Sequence, residues 1–333
     1  MTRLRWGIVG TGGISRQITS DLRLVADAAI VAVSSRHSAS ADEFADEFGI
    51  PQRFDDYAAM LDSDIDAVYI GTPHVTHFEL ARRALLRGRH VLCEKPIGLD
   101  ATEVRQLADI ARSSGVFLME AMWMKFNPLH RLLLDLVRDG AIGEVRSVRA
   151  AFGAPFPQDG SSRWQPGGST LLDQGIYPVT LGHMMLGEPS SITAAGVVRD
   201  DGVDLSENFT LHFPGARFAQ GAASMVEFLD QSASISGTLG WITIDSGFWY
   251  GSRLAVHRFS MAEGETVIPH ETVREGFGYT PMLREVTAAI QRGELEHPWH
   301  TMADAARVFD SLDEIRRCLL APRRLTHLHP KGP

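Results

Sequence analysis

The chain has 333 residues, 44% of them hydrophobic and 22% charged, with a formal net charge of -9 and a pI near 5.8. That length admits one large domain or two ordinary ones, with core enough to fold without staples. The acidic balance argues against nucleic acid as a main partner, because phosphate binding needs a basic field.

The first third alternates strand and helix patterns. "LRWGIVG" is an apolar strand ending in glycine, and "ISRQITSDLRLV" has helical spacing. "AIVAVSS" is strand-like, "SADEFADEF" helical, "IDAVYIGTP" a strand, "HFELARRALLRG" a helix with a glycine stop, and "HVLCEKP" a strand. "DATEVRQLADIARSSG" carries an N-cap at Asp100 and a C-cap at Gly115, and "VFLMEAM" is a further strand. Apolar strands separated by helices imply a parallel sheet buried on both faces. The rhythm changes near Trp123, which puts a domain boundary between 1–122 and 123–333. "NPLHRLLLDLVRDG" is a helix and "EVRSVRAAFG" a strand. "GAPFPQDGSSRWQPGGS" is a long loop of the kind that often carries function. After the helix "LLDQGIYPVTLGHMML" come strand patterns in "ITAAGVVRD", "NFTLHFPG", "RFAQGAASMV", "SASISGTLGWITID" and "LAVHRFS". They predict a mostly antiparallel sheet. The helices "PMLREVTAAIQRG" and "MADAARVFDSLDEIRRCLL" close the chain. The fold class is therefore α/β: a doubly wound parallel sheet, then an α+β domain with a large, open, mostly antiparallel sheet.

Between the first strand and helix, "WGIVGTGGIS" places Gly10 and Gly12 at the first two positions of a dinucleotide fingerprint. Gly10 permits the tight turn and Gly12 lets a pyrophosphate approach the backbone at a helix N-terminus. Ser15 stands at the third position; the bland alternative is a plain βα turn. The second strand ends "VSSRHS" with no carboxylate, and Arg36 is suited to a 2′-phosphate, which favours NADP over NAD. The alternative is a solvated surface arginine.

Lys95 ends a strand at the sheet edge where ligands bind in doubly wound folds. A lysine there can lower the pKa of a neighbouring tyrosine by favouring phenolate; the alternative is a structural partner for Glu94 or Asp173. In "GGSTLLDQGIY", Asp173 and Tyr177 are four apart and share a face if the segment is helical. They act together at a site, or they are a helix-start carboxylate and a core tyrosine.

"VGTGGIS", "EKPIG" and "GGSTLLDQGIY", in this order, resemble the Gfo/Idh/MocA family of oxidoreductases, from Arg5 to about Leu320. "LMEAMWMKFNP", "RAAFG" and the tyrosine after "DQG" resemble its branch of dihydrodiol and D-xylose dehydrogenases; many other members have histidine at position 177. The resemblance implies a Rossmann domain followed by an open-sheet domain. It implies that Gly10, Thr11, Gly12, Gly13 and Ile14 cradle the cofactor, with Ser35, Arg36 and His37 at its ribose. Thr72, Pro73 and His77 would flank the cofactor, Glu94 and Lys95 would lie by the nicotinamide, and Arg163 and Trp164 would reach it from the second domain. Tyr177 matches the acid/base, assisted by Lys95, and Asp173 matches the carboxylate that orients substrate. Trp123, Phe152, Trp249 and Tyr279 would line the substrate pocket. Lys125 departs from the usual arginine.

His74 and His77, three apart with no third ligand, are weak evidence for a metal and read as structural or cofactor-flanking, with zinc the lesser alternative. "HLH" at His327 and His329 reads as a solvated tail. Cys93 and Cys318 make no disulfide framework, and Cys93 reads as packing. With no spanning apolar run and no signal peptide, a soluble cytoplasmic protein is expected. Trp241, Phe248, Trp249 and Tyr250 either line the pocket or cover the open sheet, whose exposed face predicts a homodimer. The function expected is NADP-dependent hydride transfer on a small polyol, a cyclic sugar or a trans-dihydrodiol. The alternatives are reduction of keto-sugars or dicarbonyls at the same site, and a non-catalytic NADP(H)-binding regulator.

Overall fold

The computed structural model describes residues 3–262 and 264–321. The first sheet is built from β1 (Leu4–Val9), β2 (Ala28–Ser34), β3 (Gln52–Phe54), β4 (Ala67–Ile70), β5 (His90–Cys93) and β6 (Leu118–Glu120), all parallel, in the order β3-β2-β1-β4-β5-β6. This is the doubly wound order, with its switch point between β1 and β4. The helices between them are α1 (Gly13–Leu22), α2 (Ser38–Phe48), α3 (Tyr57–Leu61), α4 (His77–Leu86) and α5 (Ala101–Ser114). They cover the sheet from both sides, which is why "AVYI" of β4 is buried at every residue. Local signals set the ends: the Asp100 carboxylate accepts the Glu103 N–H at 2.9 Å, and Gly49 and Gly115 end α2 and α5 in left-handed conformation.

Beyond Trp123 come α6 (Pro128–Arg138) and β7 (Val145–Gly153), then irregular chain to a turn of π-helix (Leu171–Gly175) that opens α7 (Ile176–Leu186). The second sheet adds β8 (Ser191–Val198), β9 (Asp204–Phe213), β10 (Arg217–Ser224), β11 (Ala233–Gly237), β12 (Gly240–Ile244), β13 (Arg253–Ser260) and β14 (Gly264–Glu271). Its order is β14-β13-β12-β11-β7-β10-β9-β8, antiparallel except for the central β7–β10 pair. α7 packs on one face across β7 and β10. The other face is lined by small and polar side chains such as Ala151, Ala195, Thr210 and Ala222 and holds a shallow depression of about 730 Å³. "SASISGTLGWITID" is a hairpin, not one strand, and β14 was not expected.

α8 (Thr280–Gln291) and α9 (Met302–Leu320) bring the chain back to the first domain. The buried Asp21 carboxylate of α1 accepts the N–H groups of Phe277 (2.7 Å), Tyr279 (2.8 Å) and Thr280 (3.1 Å). A carboxylate with three amide donors is well compensated for burial, so this contact ties the helix behind the glycine loop to the turn that carries Tyr279. Among the described residues no helix is long and apolar enough to cross a membrane. Cys93 is buried in β5, and Cys93 and Cys318 are both free. His327 and His329 lie outside the described residues.

Glu207 of β9 is fully buried beneath the π-turn: a Cβ on Gly175 would sit 3.3 Å from its Oε1. Neither oxygen has a hydrogen-bond partner among the described residues. Burial, and secondarily Asp204, push its pKa well above the carboxylate range. Because the folded value is raised, the group's contribution to stability is complete below the unfolded value of about 4.3. It is lost as pH rises through the folded value. Glu207→Met is expected to stabilise the protein by about 1–3 kcal/mol at neutral pH and to flatten the decline of Tm from about pH 5 upward. Thermal unfolding checks this; a lower Tm at every pH would show that the carboxyl is compensated.

Candidate active site

The turn after β1 runs over the N-terminus of α1. Gly10 has φ 96° and a Cβ there would meet the Gly71 carbonyl oxygen at 2.7 Å, so only glycine fits. Gly12 and Gly13 are exposed with open space around them, and Gly12 caps α1 without a side-chain hydrogen bond. The first amides of α1 therefore face an accessible surface on which a pyrophosphate would fit. Ser15 is buried and its hydroxyl donates to the Gly71 carbonyl at 3.2 Å, tying α1 to the end of β4. That bond explains a serine at the third fingerprint position. Thr11 and Ile14 are part-exposed, and Ile14 lines the cleft described below. At the end of β2, Ser35 accepts the His37 N–H at 3.4 Å, and Arg36 and His37 are exposed. Arg36 has no ion pair among the described residues.

At the switch point, a cleft of about 310 Å³ is lined by Ile14, Thr72, Glu94, Lys95, Asp173 and Tyr177 with an aromatic wall. Lys95 follows β5 and reaches across to the π-turn, where its ammonium donates to Asp173 Oδ1 (2.8 Å) and to the Asp173 carbonyl (2.9 Å). Arg163 donates to Asp173 Oδ2 from Nε and from the guanidinium end, both at 2.9 Å. Burial alone would raise the Asp173 pKa, but Lys95, His74 and Arg163 together hold it well below the carboxylate range. Burial likewise works against the Lys95 charge and Asp173 outweighs it, so the ammonium is held above its ordinary value. Both groups are charged at neutral pH. Lys95 is thus the partner of Asp173, and it lines the cleft.

Tyr177, in the first turn of α7, is buried among rings. Its hydroxyl oxygen accepts the Trp123 Nε1–H at 2.9 Å. Trp123 packs on Tyr279 with centroids 4.4 Å apart, and Phe152 stacks on Trp249 at 3.6 Å, leaving Tyr177 between the two pairs. The Lys95 ammonium lies 5.2 Å from the Tyr177 ring centroid. Burial pushes the Tyr177 pKa up to about 12, against the pull of Lys95 and the Trp123 N–H. The expected lowering by lysine is therefore present in sign but outweighed by burial, because the ammonium spends its hydrogen bonds on Asp173.

Glu94, beside Lys95, accepts the Tyr69 hydroxyl at 2.9 Å and the Lys95 N–H at 3.2 Å; burial raises its pKa to about 7. His77 is buried with Nδ1 2.7 Å from the Pro96 carbonyl and Nε2 2.7 Å from the Thr72 carbonyl. Both ring nitrogens are thus committed to the backbone of the flanking turns. His74 lines the cleft, with burial the main cause of a pKa near 3. Among the described residues no cluster of three or more His, Cys, Asp or Glu side chains is placed to hold a metal. Pro73 is exposed at the rim. Trp164 does not line the cleft: its indole donates to the Pro157 carbonyl at 2.8 Å and is buried with Val203 and Met225. Of the other aromatics, Trp241 stacks on His257, Phe248 is buried and Tyr250 is half-exposed. Phe156, under the Arg163 guanidinium at 3.9 Å, joins the wall without a sequence signal.

A doubly wound sheet with a glycine turn and such a cleft at its switch point is the architecture of a dinucleotide-binding domain. Residues 4–122 match the oxidoreductase family with NAD-binding Rossmann fold, Gfo/Idh/MocA, and residues 130–243 match the Gfo/Idh/MocA C-terminal domain. The chain belongs to the Gfo/Idh/MocA oxidoreductase family. It is 33% identical over 327 residues to the trans-1,2-dihydrobenzene-1,2-diol dehydrogenase of Bos taurus, covering 95% of this chain and 97% of the relative. The Sus scrofa enzyme of the same name is 34% identical over 330 residues, with the same coverage. Among solved structures, the 3-ketoreductase KijD10 from Actinomadura kijaniata, in complex with NADP and TDP-benzene, superimposes with TM-score 0.85 at 28% identity. That match covers 96% of this chain and 98% of KijD10. An aldose-aldose oxidoreductase from Caulobacter crescentus, with TM-score 0.84 and 23% identity over 95% of this chain and 97% of that one, shares the fold.

Proposed function

We propose that the protein is an NADP-dependent oxidoreductase acting on a small cyclic polyol, a trans-dihydrodiol or a cyclic sugar, with Tyr177 as acid/base. The observation that carries this reading is one cleft in which the Tyr177 hydroxyl and the Lys95–Asp173 pair stand beside Ile14 of the glycine loop. The nicotinamide supplies the hydride acceptor in oxidation and the donor in reduction. Lys95 and Asp173 fix the charge balance beside the reacting carbon, and Asp173 offers a carboxylate to the neighbouring hydroxyl. In oxidation Tyr177 takes the carbinol proton as hydride leaves; in reduction it returns it. The stacked rings of Phe152 and Trp249 exclude water and suit the flat or chair face of a small ring. The names of the diol dehydrogenases support the first substrate class. The 3-ketoreductase supports a second reading, keto-sugar or dicarbonyl reduction through the same residues.

The small-residue face of the second sheet suits a second copy of the chain, so a homodimer belongs to this proposal. Two free cysteines suit a reducing, cytoplasmic setting. Absorbance at about 340 nm, followed with NADP or NAD against trans-diols, aldoses and inositols at alkaline pH, tests the reading. Reduced cofactor with one class supports it; no signal in either direction, including with keto-sugars and dicarbonyls, leaves only a cofactor-binding regulator.

The cofactor choice rests on Arg36 at the end of β2, exposed and with no carboxylate beside it in "SSRHS". Arg36→Asp is expected to weaken NADP binding by about 10- to 100-fold while changing NAD binding much less. Tryptophan-fluorescence titration measures both; an unchanged ratio removes Arg36 from the role.

A further inference from the structure

Lys95 is held where it is by its backbone, and the backbone from Lys95 to Ile97 is pinned at three successive groups. The Lys95 N–H donates to Glu94, the Pro96 carbonyl lies against His77 Nδ1, and the Ile97 N–H donates to Glu120 Oε1 at 3.2 Å. Glu120, the last residue of β6, is fully buried and does not itself line the cleft. Its second oxygen, Oε2, lies 3.0 Å from Nε2 of His300, which is itself 1% exposed. His300 Nδ1 faces the Lys125 ammonium at 3.2 Å. An ammonium has only donors, so Nδ1 accepts and the ring proton sits on Nε2, donating to Glu120. Lys125 lies 3.6 Å from Asp304, whose carboxylate accepts the Thr301 N–H in the capping box that opens α9. Lys125 donates to the imidazole and the imidazole donates to Glu120, whose other oxygen accepts the Ile97 N–H, and each buried polar atom in the run has a partner.

We propose that Glu120, His300 and Lys125 are positioning residues that fix the Lys95 loop, so that the capped start of α9 is part of the scaffold that aims the Lys95 ammonium. The inference rests on the role given to Lys95 above. A buried hydrogen-bonded run of this kind specifies one geometry. A catalytic group displaced by about 1 Å loses on the order of 100-fold in rate. None of the three side chains lines the cleft, so the relay is expected to act on turnover more than on cofactor affinity. It also accounts for a lysine at position 125: a compact ammonium presents one donor to the imidazole while its charge stays beside Asp304.

The test compares kcat, KM and cofactor Kd, per folded protein by circular dichroism, for His300→Ala, His300→Gln and Lys125→Met. His300→Ala is expected to lower kcat by about 100-fold with cofactor Kd changed less than about twofold. His300→Gln keeps a donor toward Glu120 and is expected to recover at least a tenth of the wild-type rate, roughly. If His300→Ala fails to fold, Lys125→Met, which leaves the Glu120–His300 contact in place, is expected to lose about tenfold in kcat alone. In the Lys95→Met background His300→Ala should cause no further loss, because it acts through Lys95. Wild-type kcat in folded His300→Ala or Lys125→Met, or equal losses of kcat and cofactor affinity, overturns the relay while Lys95→Met remains inactive. Full activity of Lys95→Met overturns the relay together with the reading it rests on.

Discussion

Replacing Tyr177 by phenylalanine is expected to lower kcat by about 10²- to 10⁴-fold, the range for a positioned proton donor or acceptor. KM and cofactor Kd should change little, because the ring stays between the Trp123–Tyr279 and Phe152–Trp249 pairs. The loss of the hydroxyl also strands the Trp123 Nε1–H that it accepts at 2.9 Å. An unpaired buried donor costs about 1–3 kcal/mol, so Tm should fall as well. The pH profile carries the sharper signature. Burial holds the Tyr177 pKa up to about 12, so the phenolate fraction grows with pH throughout the accessible alkaline range. The oxidative rate should therefore climb with pH without levelling below about pH 10. The reductive rate, which needs the phenol, should be flat through neutrality. In Tyr177→Phe the residual oxidative rate should lose this slope; an unchanged slope would assign the proton to another group.

The second large effect is expected from Lys95→Met, at about 10³-fold or more in kcat. In the proposed reaction the ammonium would supply positive charge beside the reacting oxygen, and it is one of the two influences that lower the Tyr177 pKa. Without it the alkaline limb of the oxidative profile should move to still higher pH. Stability should fall by less than about 3 kcal/mol, because Asp173 keeps its Arg163 partner at 2.9 Å. The two effects are separable: kcat of the folded variant reads the first and thermal unfolding reads the second. Activity within about threefold of wild type would mean that the Lys95–Asp173 pair serves packing alone.

Much of this arrangement is written in local sequence. The β1–α1 turn with Gly10 and Gly12, the caps at Asp100 and Gly115, and the change of rhythm near Trp123 each depend on a few adjacent residues, and all are present in the fold. β3 and α3, three and five residues long, are too short for a periodic signal. β14 is exposed along most of its length and contains Pro269, so it has neither alternation nor the usual strand composition. The same division runs through the cleft. Lys95, Asp173 and Tyr177 sit in recognisable motifs, and the structure brings them to one cavity. What those residues do to each other was not legible, since burial is a property of the whole fold: it sets the balance at Tyr177 that spacing alone placed on the side of the lysine. The adjacent residues Arg163 and Trp164 part company in a way no motif announces, for Arg163 faces Asp173 while the Trp164 indole enters a separate core. Pairings across long separations, Asp21 with Tyr279 and Glu120 with His300, leave no local trace.

The most direct test of hydride transfer in this cleft uses a trans-diol or aldose carrying deuterium at the carbinol carbon. The enzyme is incubated with it and NADP, and the reduced cofactor is weighed by mass spectrometry. The account predicts that reduced cofactor from the wild-type enzyme carries one deuterium on C4, and that Tyr177→Phe forms it at least about 100-fold more slowly. Cofactor that binds and stays oxidised with every diol and sugar, and that delivers no deuterium to a keto-sugar or dicarbonyl in the reverse experiment, would contradict it.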